Sequence, residues 1–455
     1  MHITIVGGGY VGLVSAICFC EFGFNVSVVE LNDARLEKLK KGIPTVCEVG
    51  LDQGLQKHLK LNSLNFSDNI SDSIENSDAI FIAVATTKPG GEDSDLSILH
   101  NSIKETALSI PSDRYIGIFV KTSVPVGTCS LIANNVKFMR PDLIPGKHYD
   151  IIANPSFLRE GSAIHDFITP NRAVIGMESD SSKARELSSK IYASLINMKV
   201  PFVYTNFETA ELIRAATIGF SATKMAFINE MADLCDRVGA DINTVIKGLA
   251  LDQGIGYKSL DVSPGIGGTS FPRTIRILSN TADSLGLDLE VLNGVIKSNT
   301  DRISNIKDRI IRLIEDKDPI LSKRIAILGL SFKPLTSDLR ESASIFVIND
   351  LLNLGIPVNV YDPLFKPGSK EIQKISEKIL NDKNFHISDS VYEAVNQSDI
   401  AVIMTNWAEF TSLDFVKIHE LMNKKIGENP IILDYRNMFS RSDLQNFNYI
   451  PQGIL

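Results

Sequence analysis

The chain has 455 residues, which is too long for one ordinary hydrophobic core and fits two or three domains. Apolar residues make up 44% of the sequence and charged residues 22%, values typical of globular proteins, so the composition excludes wholesale disorder. The 46 basic and 54 acidic residues give a net charge of -8, which argues against broad nucleic-acid binding.

The cysteines and the N-terminal segment predict a soluble, cytoplasmic protein. Five cysteines are scattered along the chain without the paired spacing of a metal site or a disulfide framework, which favours a reducing compartment. Residues 1–20 are largely apolar, but no Lys or Arg precedes them and four glycines interrupt them. We therefore expect neither a signal peptide nor a membrane anchor, and no metal ion.

Short β-rich runs alternate with helical patterns from His2 to about residue 200. The runs read ITIVG, NVSVVE, AIFIAVA, YIGIFV, IIANP and AVIGM. This alternation is typical of a parallel sheet with helices on both faces. It predicts an N-terminal Rossmann-like domain over residues 1–203.

The first of these strands leads directly into a glycine-rich turn, GGGYVG at residues 7–12, and then into a helix. In such a unit Gly7 allows the tight turn, Gly9 lets the backbone approach a pyrophosphate, and Gly12 lets the helix pack on the strand. The N-terminus of the helix adds unpaired N–H groups and the positive end of its dipole. The pattern predicts a dinucleotide site; the alternative is a tight βα turn that binds nothing.

An acidic residue, Glu30, ends the second strand at the distance expected from the glycine turn. A carboxylate there can accept hydrogen bonds from both ribose hydroxyls and would repel a 2′-phosphate, so NAD is predicted in preference to NADP. The nearby Arg35 favours NADP instead, because its positive charge would attract a 2′-phosphate.

The middle of the chain changes to one long helical stretch from about residue 206 to 246, with apolar residues at helical spacing. It is too long for a crossover, so we expect it to bridge domains or to form a homodimer contact. After a loop that reads SPGIGGTSFP, a second alternating section begins with RIAILGLSF and continues through VNVYDP, DIAVIMT and PIILDYRN. The predicted fold is α/β, with two Rossmann-like, doubly wound parallel sheets joined by a helical central region; the domains are 1–203, 204–318 and 319–455.

Several sequence blocks together resemble the UDP-glucose and GDP-mannose dehydrogenase family. They are GGGYVGL near the start, KTSVPVGT at 121–128, NPSFLREGSA at 154–163, AELIR at 210–214, PGIGGTSFP at 264–272 and GLSFKPLTSDLRES at 329–342. The resemblance implies NAD-dependent oxidation of the C6 alcohol of a nucleotide sugar, of the UDP-glucose type, to a carboxylate in two hydride transfers. It also implies a cysteine thiolate that traps the aldehyde, a cation that holds the oxyanion, and carboxylates that move protons.

The resemblance carries two sets of binding residues onto this sequence. The positions that fit the family's NAD contacts are Gly7, Gly9, Tyr10, Val11, Gly12, Glu30, Arg35, Thr86, Ser123, Glu160 and Arg340. The positions implied for the nucleotide sugar are Arg214, Ile218, Gly267, Lys333 and Arg436. The alternative for each polar member is an ordinary turn hydroxyl, surface acid or solvated charge.

The departures from the family pattern fall on the chemistry. Ser270 stands in place of the nucleophilic cysteine and Thr274 in place of an aspartate, while Ser156 replaces a general-base glutamate. On the long helix, Arg214 and Ile218 replace a lysine and an asparagine. Serine is a poor nucleophile without an adjacent base, and arginine cannot act as an acid near neutrality. The candidate catalytic set is therefore Ser270, Arg214, Glu160, Ser123 and Thr274, without a thioester route.

Two hypotheses follow from the contrast between the binding positions that fit the family and the catalytic positions that do not. In the first, the protein is an NAD-dependent UDP-sugar dehydrogenase whose activity is weakened or altered, because transfer of the first hydride does not strictly need a thiolate. In the second, it is a catalytically inactive homologue that binds NAD or a nucleotide sugar and acts as a regulator or as a partner subunit.

Overall fold

The computed structural model describes residues 1–86, 95–178, 181–314, 323–423 and 429–454. These residues form two compact units, Met1–Thr217 and Ile218–Leu455. Within the described part of the chain, no helix combines the length and the apolar character needed to cross a membrane.

The first unit is built on an eight-stranded sheet. Its strands are β1 His2–Val6, β2 Asn25–Val29, β3 Leu64–Ser67, β4 Ala79–Ile82, β5 Ile116–Val120, β6 Tyr149–Ala153, β7 Ala173–Gly176 and β8 Phe202–Thr205. Their order in the sheet is β3-β2-β1-β4-β5-β6-β7-β8. Strands β2 and β3 are therefore added on one side of β1, and the later strands on the other side, beginning with β4. This change of side is the topological switch point at which doubly wound sheets bind ligands, beyond the carboxyl ends of the strands.

Nine helices cover this sheet in the described part of the first unit. They are α1 Tyr10–Glu21, α2 Asp33–Lys40, α3 Leu51–Lys60, α4 Ile70–Ile74, α5 Ser97–Leu108, α6 Thr128–Met139, α7 Ala163–Ile168, α8 Ser182–Ile191 and α9 Ala193–Asn197. Strands β1, β4 and β5 are buried almost throughout, because helices cover both faces of the sheet. This explains why β4 and β5 read as continuous apolar runs.

One pairing departs from the predicted parallel sheet. Strand β7 runs antiparallel to β6, with Ala153 paired to Gly176, whereas the other neighbours are parallel. Because the two strands run in opposite directions, the residues just before β7 lie beside the segment that follows β6. Arg172 is thereby placed at the carboxyl edge of the sheet.

The long central helix is shorter than predicted. Helix α10 spans Phe207–Val238, 32 residues, and a second helix, α11 Ile242–Leu251, follows it. Gly239 has a φ of 77°, a left-handed conformation that ends helices readily. The side chain of Asp241 then accepts a hydrogen bond from the backbone N–H of Asn243 and caps the new helix. The single helix predicted over 206–246 is therefore wrong beyond Val238.

The second unit holds a parallel six-stranded sheet in the order β11-β10-β9-β12-β13-β14. Its strands are β9 Ile325–Leu328, β10 Val358–Tyr361, β11 Phe385–Ile387, β12 Ile400–Ile403, β13 Ile431–Asp434 and β14 Asn448–Pro451. Its further helices are α12 Ser270–Ser284, α13 Glu290–Ile314, α14 Ala343–Asn353, α15 Glu377–Leu380, α16 Val391–Val395 and α17 Phe415–Leu421. The predicted fold class, two α/β sheets with a long central helix, is confirmed, although β3, β8, β11 and β14 were not among the predicted strands.

Candidate active site

The turn between β1 and α1 is tightly packed at two glycines and open at a third. A Cβ on Gly12 would lie 1.9 Å from the carbonyl oxygen of Gly7, and a Cβ on Gly7, whose φ is 111°, would lie 2.6 Å from the carbonyl oxygen of Ala83. At Gly9 the nearest atom to such a Cβ is Nη2 of Arg35, 3.9 Å away. The backbone at Gly9 therefore borders open space at the N-terminus of α1, as a pyrophosphate cradle requires.

The acid at the end of β2 is held in place beside this turn. The buried carboxylate of Glu30 accepts a hydrogen bond from the backbone N–H of Asn32 at 2.9 Å and lies 3.0 Å from Nη2 of Arg35. Arg35 also donates to the carbonyl oxygen of Gly8 at 2.7 Å. The charge of Arg35 thus already has a carboxylate partner, which reduces the case that it attracts a 2′-phosphate.

A buried acid that the sequence analysis missed, Glu48, ties the glycine turn to the NPSFLREGSA segment. Its carboxylate accepts from the hydroxyl of Tyr10 and from the backbone N–H groups of Gly161 at 2.6 Å and Ala163 at 2.8 Å. Burial and Glu48 raise the pKa of Tyr10 far above its usual range, so this hydroxyl stays a neutral donor. The contact places Tyr10 next to the chain segment that carries Glu160.

Two residues with hydroxyl side chains follow neighbouring strands at the carboxyl edge of the first sheet. Thr86 lies after β4 and Ser123 after β5, and the hydroxyl of Thr86 donates to the carbonyl oxygen of Ser123 at 3.4 Å. Between them, Thr122 donates to the carbonyl oxygens of Ile82 and Val84. Both predicted cofactor contacts therefore border the switch point with the glycine turn.

A buried lysine underlies this loop. The ammonium group of Lys121 donates to Oδ1 of Asn154 at 3.1 Å, lies 5.1 Å from the centre of the Phe167 ring, and is 4% exposed. Tyr192 donates to the same oxygen of Asn154 at 2.6 Å. Because burial disfavours the charged form, it lowers the pKa of Lys121 to about 7. Lys121 was not among the predicted site residues, since a lysine in a sequence block carries no signal of its burial.

The start of α10 is fastened to the loop that bears Ser123. The buried carboxylate of Glu211 accepts from the backbone N–H groups of Gly127 at 2.6 Å and Cys129 at 2.8 Å, which begin α6. Burial raises the pKa of Glu211 against the opposing effect of these hydrogen bonds. Three residues further along α10, Arg214 is thereby held at a fixed distance from this loop.

Arg214 shares an aromatic ring with a second arginine. Its guanidinium carbon lies 5.6 Å from the centre of the Phe157 ring, and that of Arg172 lies 4.2 Å from the same centre. Arg172 also donates to the hydroxyl of Thr217 at 2.8 Å. Burial, followed by the like charge of Arg172, lowers the pKa of Arg214 to about 10, so both groups stay cationic near neutrality.

In the second unit, the loop before α12 packs on the GLSFKPLTSDLRES segment. A Cβ on Gly267 would lie 2.7 Å from the carbonyl oxygen of Glu341, and the N–H of Gly268 donates to the carbonyl oxygen of Arg340 at 2.9 Å. The guanidinium of Arg340 pairs with Asp338 at 2.7 Å. Lys333 lies in the same segment, with its ammonium group 5.5 Å from the neighbouring Phe332 ring.

Arg436 is half-buried and packs against this segment. It donates to the carbonyl oxygens of Phe332 and Met404, both at 2.8 Å, and burial lowers its pKa to about 10. The structure therefore brings Gly267, Lys333, Arg340 and Arg436 together. Of the substituted positions, Ser270 is an exposed residue that begins α12, Thr274 lies one turn later, and Ile218 is a buried residue of α10.

Three domain models of one dehydrogenase family match successive parts of the chain. The NAD binding domain of the UDP-glucose/GDP-mannose dehydrogenase family matches residues 1–196, its central domain matches 208–301, and its UDP binding domain matches 326–441. The chain belongs to this family. Its enzymes are NAD-dependent oxidoreductases, so the predicted family, enzyme class and cofactor are confirmed.

Individual relatives agree over full length. The chain is 38% identical to UDP-glucose 6-dehydrogenase from Rickettsia conorii over 100% of this chain and 99% of the relative, and 35% identical to that of Rhizobium meliloti over 100% and 99%. Among solved structures, a UDP-glucose dehydrogenase from Pyrobaculum islandicum superposes with a TM-score of 0.85 at 27% identity, covering 99% of this chain and 96% of that chain.

Proposed function

We propose that this protein binds NAD and a UDP-sugar of the UDP-glucose type and carries out, at most, the first oxidation, from the C6 alcohol to the aldehyde. The observation that carries the proposal is the combination of an open cofactor turn at Gly9 with sequence blocks that lack cysteine. NAD would accept the hydride from C6 of the sugar. Arg214 supplies a permanent positive charge toward the oxygen, whose proton is released to solvent.

The cysteines support a route without a thioester. Four of the five are buried, and burial raises the pKa of each of these thiols. A thiol held in its neutral form is a weak nucleophile. Free, mostly buried cysteines also fit a reducing compartment, and we place the protein in the cytoplasm.

The second candidate function is that of a non-catalytic binding subunit. It is favoured by Ile218, an apolar and 2% exposed residue in place of an asparagine, which offers the reacting atoms no hydrogen bond. In this case NAD and UDP-sugar bind without turnover.

An assay of NADH formation with a panel of UDP- and GDP-sugars tests the proposal, with an active family member as the positive control. We expect one NADH or less per UDP-sugar, and we expect alkylation of thiols to leave this activity largely intact. Two equivalents of NADH would refute the single-step proposal. Binding of both ligands without any NADH would favour the binding subunit instead.

We also propose that the protein is a homodimer built around α10. Three large apolar side chains on this helix are exposed at a spacing of seven residues: Phe220, Phe227 and Leu234. This spacing returns to one face of a helix, and an exposed apolar stripe of this kind fits the same stripe of a second copy. Light scattering at micromolar concentration should give twice the chain mass for the wild type and one chain mass for Phe227→Glu. A monomeric wild type would contradict the proposal.

A further inference from the structure

The buried carboxylate of Glu48 connects the glycine turn with the chain segment that carries Glu160. Glu48 is 8% exposed and lies in the loop between α2 and α3. Its Oε2 accepts from the hydroxyl of Tyr10 and from the backbone N–H of Gly161, and its Oε1 accepts from the N–H of Ala163. Both oxygens of this carboxylate are therefore occupied by donors from the two segments that it connects.

The loop that carries Glu48 is attached to tightly packed helices, because α3 and α7 both pack on α1. A Cβ on Gly54 of α3 would lie 2.6 Å from Cγ2 of Ile17 on α1, so these two helices are in close contact. Leu51, the first residue of α3, is fully buried, and its N–H donates to the carbonyl oxygen of Glu48 at 3.3 Å. Glu48 is therefore held at a fixed position relative to α1.

The residues on either side of Glu160 are both hydrogen-bonded within this cluster. The N–H of Gly161 donates to Glu48 at 2.6 Å, and the carbonyl oxygen of Arg159 accepts from the hydroxyl of Tyr10 at 3.5 Å. Burial, then Glu48, then the charge of Glu160 raise the pKa of Tyr10, so its hydroxyl stays a donor. The backbone at Glu160 is thus fastened to the first residue of α1.

This cluster joins the two halves of the predicted cofactor site. Glu30, after β2, marks the ribose of the adenosine half, and the glycine turn takes the pyrophosphate. The nicotinamide half of a bound dinucleotide therefore extends across β1 toward β4, β5 and β6. Because Glu160 lies in the segment that follows β6, we expect it on the nicotinamide side.

We propose that Glu48 is a positioning residue for the nicotinamide half of NAD: through Tyr10 it keeps the Glu160 segment at a fixed distance from the glycine turn before the cofactor binds. A site that is already ordered does not have to be ordered by its ligand, so the contact should raise the affinity for NAD. The inference rests on the proposed function, since it takes Glu160 as a contact of bound NAD.

Calorimetric titration of the full-length protein with NAD and with ADP-ribose, which lacks the nicotinamide, tests this role. Tyr10→Phe removes one hydrogen bond and should weaken NAD binding at least about fivefold but ADP-ribose binding less than about twofold. Glu48→Gln should weaken NAD binding further, because its amide nitrogen brings a donor against groups that also donate. The double variant should bind NAD no more weakly than Glu48→Gln alone, since Tyr10 acts through Glu48.

The matched control is Tyr115→Phe. The hydroxyl of Tyr115 also donates to a buried carboxylate, that of Asp150, at 2.8 Å. Tyr115 precedes β5, at the amino edge of the sheet and away from the glycine turn. Thermal unfolding should show a loss of stability similar to that of Tyr10→Phe, while the affinities for NAD and ADP-ribose stay those of the wild type.

The outcomes separate the positioning role from the proposed function. If Tyr10→Phe binds NAD as the wild type does, or loses affinity for NAD and ADP-ribose in equal proportion, the positioning role is refuted and the proposed function stands. If the wild type binds neither probe, the proposed function fails and the positioning role fails with it. If circular dichroism shows that Glu48→Gln is unfolded, Tyr10→Phe and its control decide alone.

Discussion

The cofactor turn keeps the glycines that the family resemblance predicts, whereas the same resemblance predicts substitutions in the reaction blocks. In the turn, Gly7, Gly9 and Gly12 are all retained, and the structure gives each a steric or spatial role. In the reaction blocks, the family resemblance predicts that Ser270, Thr274 and Ile218 stand in place of reactive groups, and the two helices that carry them, α10 and α12, are nevertheless formed.

The difference shows that backbone constraints and chemical constraints are separable. A side chain at Gly12 would collide with the strand-to-helix turn itself, so that position protects the fold as well as the ligand site. Ser270 is exposed at the start of α12, so a substitution at this position should cost little folding stability. The proposed loss of the second oxidation is therefore compatible with a stable fold.

The largest expected effect comes from restoring the reaction blocks. The fivefold variant Ser270→Cys, Arg214→Lys, Ile218→Asn, Ser156→Glu and Thr274→Asp should produce two NADH per UDP-glucose, with a rate gain of at least about a thousandfold. Ser270→Cys alone should gain little, because residues that act as one unit contribute non-additively. If the fivefold variant binds both ligands yet stays inert, the geometry of the reaction region itself has diverged.

Substitutions in the cofactor turn should separate folding from binding. Gly12→Ala places a Cβ against the turn and should destabilise the protein by about 3 kcal/mol in thermal or urea unfolding. Gly9→Ala enters open space, so stability should hold while the affinity for NAD falls at least about tenfold.

Gly248→Ala serves as the control for both glycine variants, because the helix α11 leaves open space around that residue. This variant should leave the affinity for NAD unchanged and should not lower the stability of the protein. A Gly9→Ala protein that binds NAD like the wild type would show that the pyrophosphate does not approach this backbone.

The preference for NAD over NADP tests the role of Glu30 beside the glycine turn. The buried Glu30 should make NAD bind more tightly than NADP by about 1 to 3 kcal/mol, and Glu30→Ala should remove most of this difference. Calorimetry with both dinucleotides measures it. Equal or tighter binding of NADP to the wild type would contradict the assignment of the Glu30 and Arg35 pair.

The smallest expected effect concerns Lys121, which lies under the loop that bears Ser123. Its pKa falls from 10.5 to about 7 on folding, so between these values the unfolded chain binds more protons than the native protein. The contribution of Lys121 to the free energy of unfolding should therefore rise with pH across this window, by roughly 1 kcal/mol per pH unit.

Urea unfolding at about pH 7 and pH 9 tests this, with Lys121→Met as the comparison, because methionine cannot titrate. The variant should gain on the wild type at the lower pH and lose that advantage at the higher one. A stability difference that is independent of pH would show that Lys121 stays protonated in the native protein.

The strands of both sheets that lie at their centres were predictable from sequence, and those at the edges were less so. Buried parallel strands such as β4 and β12 read as unbroken apolar runs, whereas β3 and β11 are short edge strands with exposed polar positions. The break between α10 and α11 depends on one left-handed glycine, which the helical apolar spacing concealed.

The sequence by itself determined the fold class, the family and the glycine turn, because each of these depends on residues close together in the chain or on blocks in a fixed order. The substituted catalytic positions stay a prediction from the same blocks. The tertiary structure alone decided which charged side chains and polar groups come into contact. Glu48 reaches Gly161 across 113 residues, and Glu211 reaches Gly127 across 84. The Arg172 and Arg214 pair exists because an antiparallel strand and a helix deliver two distant guanidinium groups to one phenyl ring. No local sequence pattern predicts such contacts, because the burial of a side chain and the identity of its partner are properties of the folded chain.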